Sequence, residues 1–262
     1  MFKVRTLNKI SPVGLDRLDA AGCEHGDALA GAQALLVRSA DVHAVEFEKE
    51  LLCIARAGAG VNNIPIDRCS DAGIVVFNTP GANANAVKEL AICALLLASR
   101  DISGGMAWVK TLKGRGDEVP ALVEKGKGAF VGPEIEGKKL GVIGLGAIGV
   151  MVANAARSLG MKVIGYDPYI SIESAWGLSQ DVQRALNLDQ LLSVSDYITL
   201  HVPLLDNTKS FISAAEISKM KPGAVLLNFA RNGLVEYDAL FAALDEGRLF
   251  RYVTDFPNAQ LL

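Results

Sequence analysis

The most regular feature of the chain is a series of short apolar runs that are rich in valine, isoleucine and leucine. Most of these runs do not alternate apolar with polar residues, which is typical of strands buried on both faces of a parallel sheet. Helical patterns lie between several of them, and this alternation indicates an α/β fold with right-handed crossovers. The predicted strands are Val4–Leu7, Ala34–Val37, Leu51–Ala55, Ile74–Phe77, Leu140–Ile143, Lys162–Tyr166, Tyr197–Val202, Ala224–Phe229 and Tyr252–Asp255.

The longest helical pattern covers Asn83–Ser99 and follows the turn-forming pair Pro80-Gly81. Four predicted strands precede this helix and five follow it, so we interpret it as the connection between two α/β domains. We expect residues 1–93 to form the first domain and residues 94–262 the second. The Gly- and charge-rich stretch Lys110–Gly137 predicts an exposed arm or loop, which either contacts a partner subunit or is an ordinary surface loop.

Composition narrows the class of protein. The chain has 262 residues and a net charge of −3, and half of its residues are apolar, as in soluble globular proteins. There is no basic excess to bind nucleic acid, and the longest apolar stretch, Leu90–Ala98, is too short to span a membrane. Four cysteines without CxxC spacing predict neither disulfides nor a zinc or other metal site. We therefore expect a cytoplasmic protein that binds neither nucleic acid nor membranes.

The strongest chemical motif is a glycine pattern between a predicted strand and a predicted helix, Gly144-Leu145-Gly146-Ala147-Ile148-Gly149. Gly144 allows a tight turn out of the strand. Gly146 removes a side chain where a pyrophosphate must approach the backbone. Gly149 lets the helix pack close to the sheet. All elements of a dinucleotide-binding unit are present in order, so the motif predicts a dinucleotide site and not only a glycine-rich turn.

The second predicted strand of this unit ends at Asp167, where a carboxylate can accept hydrogen bonds from the hydroxyl groups of a ribose. The free N–H groups and positive dipole end of the preceding helix would face the phosphates. A 2′-phosphate would be repelled by Asp167, and no arginine follows it directly, so NAD is favoured over NADP. The alternative is a βαβ unit that binds no ligand.

Candidate anion-binding residues follow two neighbouring strands of the first half. Arg38-Ser39 and Arg56 end these strands, where ligands gather in open α/β sheets, and guanidinium groups suit a phosphate or carboxylate. The small residues Gly58, Ala59 and Gly60 after Arg56 can expose consecutive N–H groups as an anion-binding nest. The alternatives are surface arginines paired with acidic residues and an ordinary strand-to-helix turn.

Two further candidates lie in the second half. Arg231 follows the strand Ala224–Phe229 and would project from the same sheet edge as the glycine loop, where it could hold an α-keto acid and polarise its carbonyl. The alternative is an arginine that is bound to a carboxylate at a helix entry. His201 ends the strand YITLHV; it could act as an acid–base group, but we prefer a loop histidine that lines the cofactor cleft.

The order of the motifs is more specific than any one of them. They are LLVRSADV, RAGAGVNNIPID, GIVVFNTPGANANAVKELAICALLL, KLGVIGLGAIG, GYDPY, DYITLHVPLLDNT, NFARNGLVEYDAL and YVTDFP. In this order they resemble the D-isomer-specific 2-hydroxyacid dehydrogenase family, and they are most similar to its branch that oxidises 3-phosphoglycerate. The resemblance implies two Rossmann- or flavodoxin-like domains with parallel sheets and a cleft between them, the first for substrate and the second for NAD.

The resemblance also implies residue roles. Arg231 would bind substrate and take part in catalysis, the Ala59 and Gly60 backbone would receive the substrate carboxylate, and Arg38 and Arg56 would lie near a distal phosphate. The activity implied is NAD-dependent oxidation of 3-phosphoglycerate to 3-phosphohydroxypyruvate in serine biosynthesis, by a homodimer or higher homo-oligomer. The positions that correspond to NAD-lining residues of the family are Gly146, Ala147, Ile148, Asp167, His201, Pro203 and Asp255.

The chain departs from the family in three ways. The family's catalytic histidine lies beyond the point where this sequence ends, and the positions of its catalytic glutamate hold Ala259 and Gln260. Asn232 replaces the glycine that usually follows the arginine. Two explanations are open, a fragment of a longer dehydrogenase that also lacks the return helices of its substrate domain, or a shortened paralogue that binds NAD(H) as a regulator. We favour the first, because the sequence stops shortly after Asp255.

Overall fold

Two units, each built on one parallel sheet, account for residues 1–261, the part of the chain that the computed structural model describes. The first unit is Met1–Asn83 and the second begins at Ala84, the first residue of the long helix. The α/β class and the parallel sheets predicted from the apolar runs are confirmed.

The first unit has a five-stranded sheet in the order β2-β1-β3-β4-β5, and every pairing in it is parallel. This order is that of flavodoxin-like folds. Its core joins Leu35, Val37 and Ile54 of the sheet to Ile64 and Cys69, all buried. The elements are β1 (Lys3–Leu7), α1 (Pro12–Ala20), β2 (Glu24–Gly26), β3 (Ala34–Val37), β4 (Cys53–Arg56), α2 (Ile66–Asp71) and β5 (Val75–Phe77).

The second unit opens with helices and continues as an alternating α/β domain. Short 3₁₀ turns at Gly116–Glu118 and Lys127–Phe130 flank α5. The elements are α3 (Ala84–Ser99), α4 (Ile102–Thr111), α5 (Val119–Gly126), β6 (Lys139–Ile143), α6 (Ala147–Ser158), β7 (Lys162–Tyr166), α7 (Ile172–Gly177), β8 (Gln183–Arg184), α8 (Leu188–Val194), β9 (Tyr197–Leu200), α9 (Ala214–Lys219), β10 (Ala224–Asn228), α10 (Tyr237–Asp245) and β11 (Leu249–Thr254).

The sheet of the second unit has the order β11-β10-β9-β6-β7-β8, with all pairings parallel, which is the strand order of a Rossmann fold. Strand β10 shows why its apolar run does not alternate with polar residues. Ala224 and Leu226 pack into the core on one face, whereas Val225 and Leu227 pack into the core on the other. Both faces of the sheet are therefore covered by apolar side chains. The edge formed by the carboxyl ends of its strands is left for ligand binding.

The nine predicted strands are all confirmed, with ends that shift by up to three residues. Two strands were not predicted, β2 and β8, because both are short, polar segments at sheet edges. The stretch Lys110–Gly137, predicted as an exposed arm or loop, is largely exposed, but it contains the helix α5, which was not predicted. Good helix-forming residues and Pro120 near the start of α5 favour a helix there, and Trp108 and Phe130 pack together with ring centroids 5.2 Å apart.

All four cysteines are free thiols in the described structure. Among residues 1–261, no group of three or more His, Cys, Asp or Glu side chains is arranged to hold a metal ion. No single helix of this part of the chain has the length and apolar character to cross a membrane. Only α3 and α4 taken together pass that test, and they are bent by 64°.

Candidate functional site

The candidate cofactor residues and Arg231 all follow strands of the second unit's sheet at the same edge. Because the strands are parallel, their carboxyl ends lie together, and this is where ligands bind in open α/β folds. The structure therefore brings these positions to one edge, as the sequence predicts. They are Gly144–Gly149 after β6, Asp167 after β7, His201 and Pro203 after β9, Arg231 after β10 and Asp255 after β11.

The glycine loop between β6 and α6 requires two of its glycines for internal reasons. Gly144 has φ +90°, and a Cβ there would lie 2.6 Å from the carbonyl oxygen of His201. A Cβ on Gly149 would collide with the carbonyl oxygen of Gly144. Gly146 differs, because it has φ −77° and a Cβ would meet no atom within 4 Å. Within residues 1–261 no neighbouring atom requires a glycine at this position, but a ligand that approaches this backbone would require one.

The amino end of α6 is built to receive an anion. Gly146 precedes the helix and supplies no capping side chain, and the first bond of the helix runs from the Val150 N–H to the Gly146 carbonyl. The N–H groups of Ala147, Ile148 and Gly149 therefore have no partner within the helix, and they add to its positive dipole end. This arrangement fits the pyrophosphate of a dinucleotide.

Asp167 is oriented by the backbone on both sides. One carboxylate oxygen accepts the Leu145 N–H at 2.8 Å, and the other accepts the Tyr169 N–H at 2.8 Å. Each oxygen can accept a further hydrogen bond, so the carboxylate still has capacity for ribose hydroxyls. Beside it lies a cavity of about 510 Å³ whose walls include Ile170, Leu178 and Arg184.

His201 is placed against the glycine loop. Its backbone N–H donates to the Ile143 carbonyl at 2.7 Å, and its Nε2 lies 3.0 Å from the Thr199 hydroxyl. Its Nδ1 is buried without a hydrogen-bond partner among residues 1–261. Burial lowers the pKa of His201 to about 4, so the ring is neutral at physiological pH. Pro203 and Asp255 are exposed beyond the same sheet edge.

Arg231 is exposed at the end of β10, and no carboxylate within residues 1–261 lies close enough to form an ion pair with it. The alternative of an arginine bound to a carboxylate is therefore wrong for the described residues. Its guanidinium instead donates from Nη1 to the Ala230 carbonyl at 2.7 Å. The buried amide of Asn228 holds the same turn through the N–H groups of Ala230 and Arg231.

In the first unit, Arg38, Ser39 and Arg56 lie at the carboxyl ends of neighbouring strands, because Val37 of β3 pairs with Arg56 of β4. Arg38 is exposed and forms no hydrogen bond or ion pair with residues 1–261. The Nε–H group of Arg56 donates a hydrogen bond to Oδ1 of Asn63 at 3.0 Å. Two guanidinium groups thus lie at the carboxyl ends of these strands, and Arg38 has no paired carboxylate within residues 1–261. This arrangement suits the binding of an anion.

The loop after β4 presents backbone donors. A Cβ on Gly58 would lie 2.5 Å from Nη1 of Arg56, so the glycine allows the guanidinium to fold over the loop. The N–H groups of Ala59 and Gly60 have no acceptor within residues 1–261. The loop is held instead through its carbonyls, since Asn78 donates to Ala59 at 2.7 Å. Free, adjacent N–H groups on a fixed loop are the property required of an anion nest.

Sequence reasoning missed the asparagine side chains that hold these loops. They end strands, follow strands or lie in turns, where an amide can bind the backbone on both its donor and acceptor sides. An asparagine directly after an apolar strand is the sequence signal, but it does not tell which loop the amide contacts. The residues are Asn8, which receives the Ser39 and Ala40 N–H groups, together with Asn63, Asn78 and Asn228.

Comparison with known proteins identifies the family. The profile of the "D-isomer specific 2-hydroxyacid dehydrogenase, NAD binding domain" matches residues 92–261. The chain belongs to this family. The match includes the glycine loop, Asp167 and Arg231, and it identifies NAD as the cofactor, in agreement with the fit of the loop and the α6 terminus to a dinucleotide. The resemblance predicted from the order of the motifs is confirmed.

Individual relatives agree with the family. The chain is 40% identical over 223 residues to the D-3-phosphoglycerate dehydrogenase of Methanocaldococcus jannaschii, a match that covers 83% of this chain and 40% of that protein. It is 38% identical over 219 residues to the hydroxypyruvate reductase of Thermotoga maritima, covering 82% and 66% respectively. The TT0316 protein of Thermus thermophilus has a similar structure, with a TM-score of 0.78, 27% identity and coverage of 98% and 85%. This chain thus spans less than half the length of the dehydrogenase relative.

Proposed function

We propose that the protein is part of an NAD-dependent dehydrogenase that oxidises a D-2-hydroxy acid by hydride transfer, with 3-phosphoglycerate as substrate and 3-phosphohydroxypyruvate as product. The observation that carries this proposal is Arg231, an exposed guanidinium without an acidic partner in residues 1–261, at the same sheet edge as the NAD loop. The nicotinamide of bound NAD would accept the hydride, and the residues of this chain would bind and orient the acid.

We assign the cofactor to the second unit. The N–H groups at the start of α6 would bind the pyrophosphate, with Gly146 leaving room for its approach. The Asp167 carboxylate, already oriented by two backbone N–H groups, would accept the ribose hydroxyls. The remaining lining residues of this proposal are Gly144, Ala147, Ile148, Gly149, His201, Pro203 and Asp255.

Arg231 would hold the acid by its carboxylate and by the oxygen on C2. A guanidinium carries a permanent charge and a planar fork of donors, so it can bind both oxygens and stabilise negative charge on the carbonyl oxygen. We do not assign the proton transfer to His201, because its burial and low pKa make it a weak base.

The phosphate specificity rests on the first unit. Arg38 and Arg56 would bind the distal phosphate, and Ser39 lies beside them. The free N–H groups of Ala59 and Gly60, next to Gly58, would receive the carboxylate. Support for a phosphorylated acid also comes from the relatives named D-3-phosphoglycerate dehydrogenase, whereas the relative named hydroxypyruvate reductase indicates that the family includes other substrates. We further propose a cytoplasmic homodimer or higher homo-oligomer that serves serine biosynthesis.

The experiment compares 3-phosphoglycerate with D-glycerate, which lacks the phosphate, in a thermal-shift titration of the NADH-loaded chain. We expect both acids to raise the melting temperature, and the phosphorylated acid to bind more tightly by roughly tenfold, the value of one charge-assisted contact. Arg38→Ala should reduce this difference, because Arg56 remains, and Arg231→Ala should abolish the effect of both acids while NADH still binds.

Three results would count against the proposal. Equal shifts with both acids would contradict phosphate recognition by Arg38. Loss of NADH binding in Arg231→Ala would mean that this arginine holds the cofactor. A shift with NADH and none with any acid would favour the alternative of an NAD(H)-binding regulatory protein.

A further inference from the structure

A single buried amide organises the turn that carries Arg231. Asn228, the last residue of β10, is 1% exposed, and it uses both ends of its side chain. Its Oδ1 accepts the N–H groups of Ala230 at 3.1 Å and Arg231 at 3.3 Å. Its Nδ2 donates to the Arg231 carbonyl at 2.9 Å and to the Tyr252 hydroxyl at 3.2 Å. All four bonds of one amide are therefore made inside the protein, three of them to the arginine turn.

The amide is connected to the guanidinium through one peptide group. The Ala230 carbonyl and the Arg231 N–H belong to the same planar unit. Asn228 binds the N–H of this unit, and the Arg231 guanidinium binds its carbonyl from Nη1 at 2.7 Å. Because the unit is rigid, the orientation that Asn228 gives to the N–H also sets the direction of the carbonyl on which the guanidinium rests.

A second layer of hydrogen bonds supports the amide. Tyr252 lies on the neighbouring strand β11, and burial raises the pKa of its hydroxyl, so the hydroxyl stays protonated. Across the turn, the Tyr237 hydroxyl donates to the Asn232 side chain at 2.6 Å. The residues before and after Arg231 are thus both held by side chains from outside the turn, while the arginine itself remains exposed.

We propose that Asn228 is a positioning residue, which sets the direction of the Arg231 guanidinium before the acid binds. This inference rests on the proposed function, in which Arg231 binds the acid. A long arginine side chain loses much rotational freedom when it binds a ligand, so prior orientation increases affinity. The competing explanation is that Asn228 only stabilises the end of β10.

The test uses the full chain with ¹⁵N-labelled arginine. The order parameter of the Arg231 Nε–H group is measured by NMR, and its signal is identified by its loss in Arg231→Lys. In the unsubstituted chain we expect a value near that of rigid backbone, about 0.85, and in Asn228→Ala a value below about 0.6. Tyr252→Phe is the matched control, because it removes one partner of the amide and leaves its three bonds to the turn.

A second variant separates positioning from folding. Asn228→Asp keeps an acceptor for the N–H groups of Ala230 and Arg231 but cannot donate to the Arg231 carbonyl or to Tyr252. We expect it to retain the order of the Arg231 side chain, even if Asn228→Ala does not fold. Unchanged order in folded Asn228→Ala, or lost order in Asn228→Asp, would overturn the proposal.

Oxalate, a planar dicarboxylate, then probes the consequence for binding. In the NADH-loaded chain, Asn228→Ala should weaken oxalate binding by about tenfold, with NADH affinity changed by less than about twofold. Equal losses of both affinities would overturn positioning in favour of a general structural effect. Failure of oxalate to bind the unsubstituted chain would instead contradict the proposed function of Arg231, and the order parameters would still decide the role of Asn228.

Discussion

The glycines of the loop between β6 and α6 serve two different purposes. Gly144 and Gly149 are required because a Cβ at either would meet the backbone, whereas Gly146 faces open space. The sequence motif predicts these separate purposes. It does not predict that the backbone excluding a Cβ at Gly144 is the His201 carbonyl, because that contact comes from a distant part of the chain.

We expect Gly146→Ser to fold normally and to lose NADH affinity by about tenfold or more. Serine is a good residue before a helix, so the stability of α6 should be retained, while its hydroxyl occupies the N–H groups that a pyrophosphate needs. Gly144→Ala is the contrasting variant, which should lower the free energy of unfolding because of its positive φ and close carbonyl. Urea unfolding and NADH fluorescence titrations measure the two effects. Normal NADH affinity in Gly146→Ser would show that no phosphate binds at this point.

His201 should make stability depend on pH. The folded ring takes a proton only near pH 4, whereas an unfolded histidine does so near pH 6.5. Between these values the unfolded state binds more protons, so this contribution is complete above pH 6.5 and is lost as the pH falls toward 4. In urea unfolding, the free energy of unfolding should rise with pH in this window by up to about 1.4 kcal/mol per pH unit more than in the non-titrating variant His201→Asn. Parallel pH curves for the two proteins would contradict the burial of the ring.

Among individual residues, the charged side chains of the site were easier to predict from the sequence than the asparagine amides that hold the surrounding loops. Arg56 ends an apolar strand, Arg38 directly follows one, and Arg231 comes shortly after a third, so the sequence predicts the strand ends at which they lie. The contact of Asn228 with Tyr252 depends on a strand 24 residues away, and a single sequence contains no signal for such a pairing.

Among the elements, the strands were predicted best because parallel strands are buried on both faces. The run Ala224–Phe229 is apolar apart from Asn228, and the structure buries every residue of β10. The edge strands β2 and β8 carry polar residues and are held by one neighbour each, so they leave no apolar signal. Helix α5 was missed because it lies within a Gly- and charge-rich stretch and none of its residues is buried.

The attachment of α3 to the sheet depends in part on one buried hydrogen bond. The Ser99 hydroxyl at the end of α3 lies 2.8 Å from the Tyr197 hydroxyl of β9, and both residues are buried. Tyr197→Phe should lower the free energy of unfolding by about 1 kcal/mol, the usual net value of such a bond. Tyr169→Phe is the control, since Tyr169 is 87% exposed and should change stability by less than about 0.5 kcal/mol. Equal effects in urea unfolding would show that the bond contributes nothing.

For the whole molecule, the order of the motifs predicted the family and two domains with parallel sheets, and the structure adds the strand order of each sheet. The chain covers 40% of the length of the D-3-phosphoglycerate dehydrogenase of Methanocaldococcus jannaschii, so its activity is proposed and its NAD-binding family is established. Membership alone does not choose the substrate, because the relatives carry the names of different enzymes. In our proposal, that choice depends on Arg38, Arg56 and Arg231.

The most direct test of the central claim is a calorimetric titration of the full chain with NADH and with NADPH. If the amino end of α6 binds a pyrophosphate and Asp167 binds the neighbouring ribose, NADH should bind with one site per chain. NADPH should bind more weakly by about tenfold or more, because its 2′-phosphate meets the Asp167 carboxylate. No heat of binding with NADH, or equal affinity for the two nucleotides, would contradict the account.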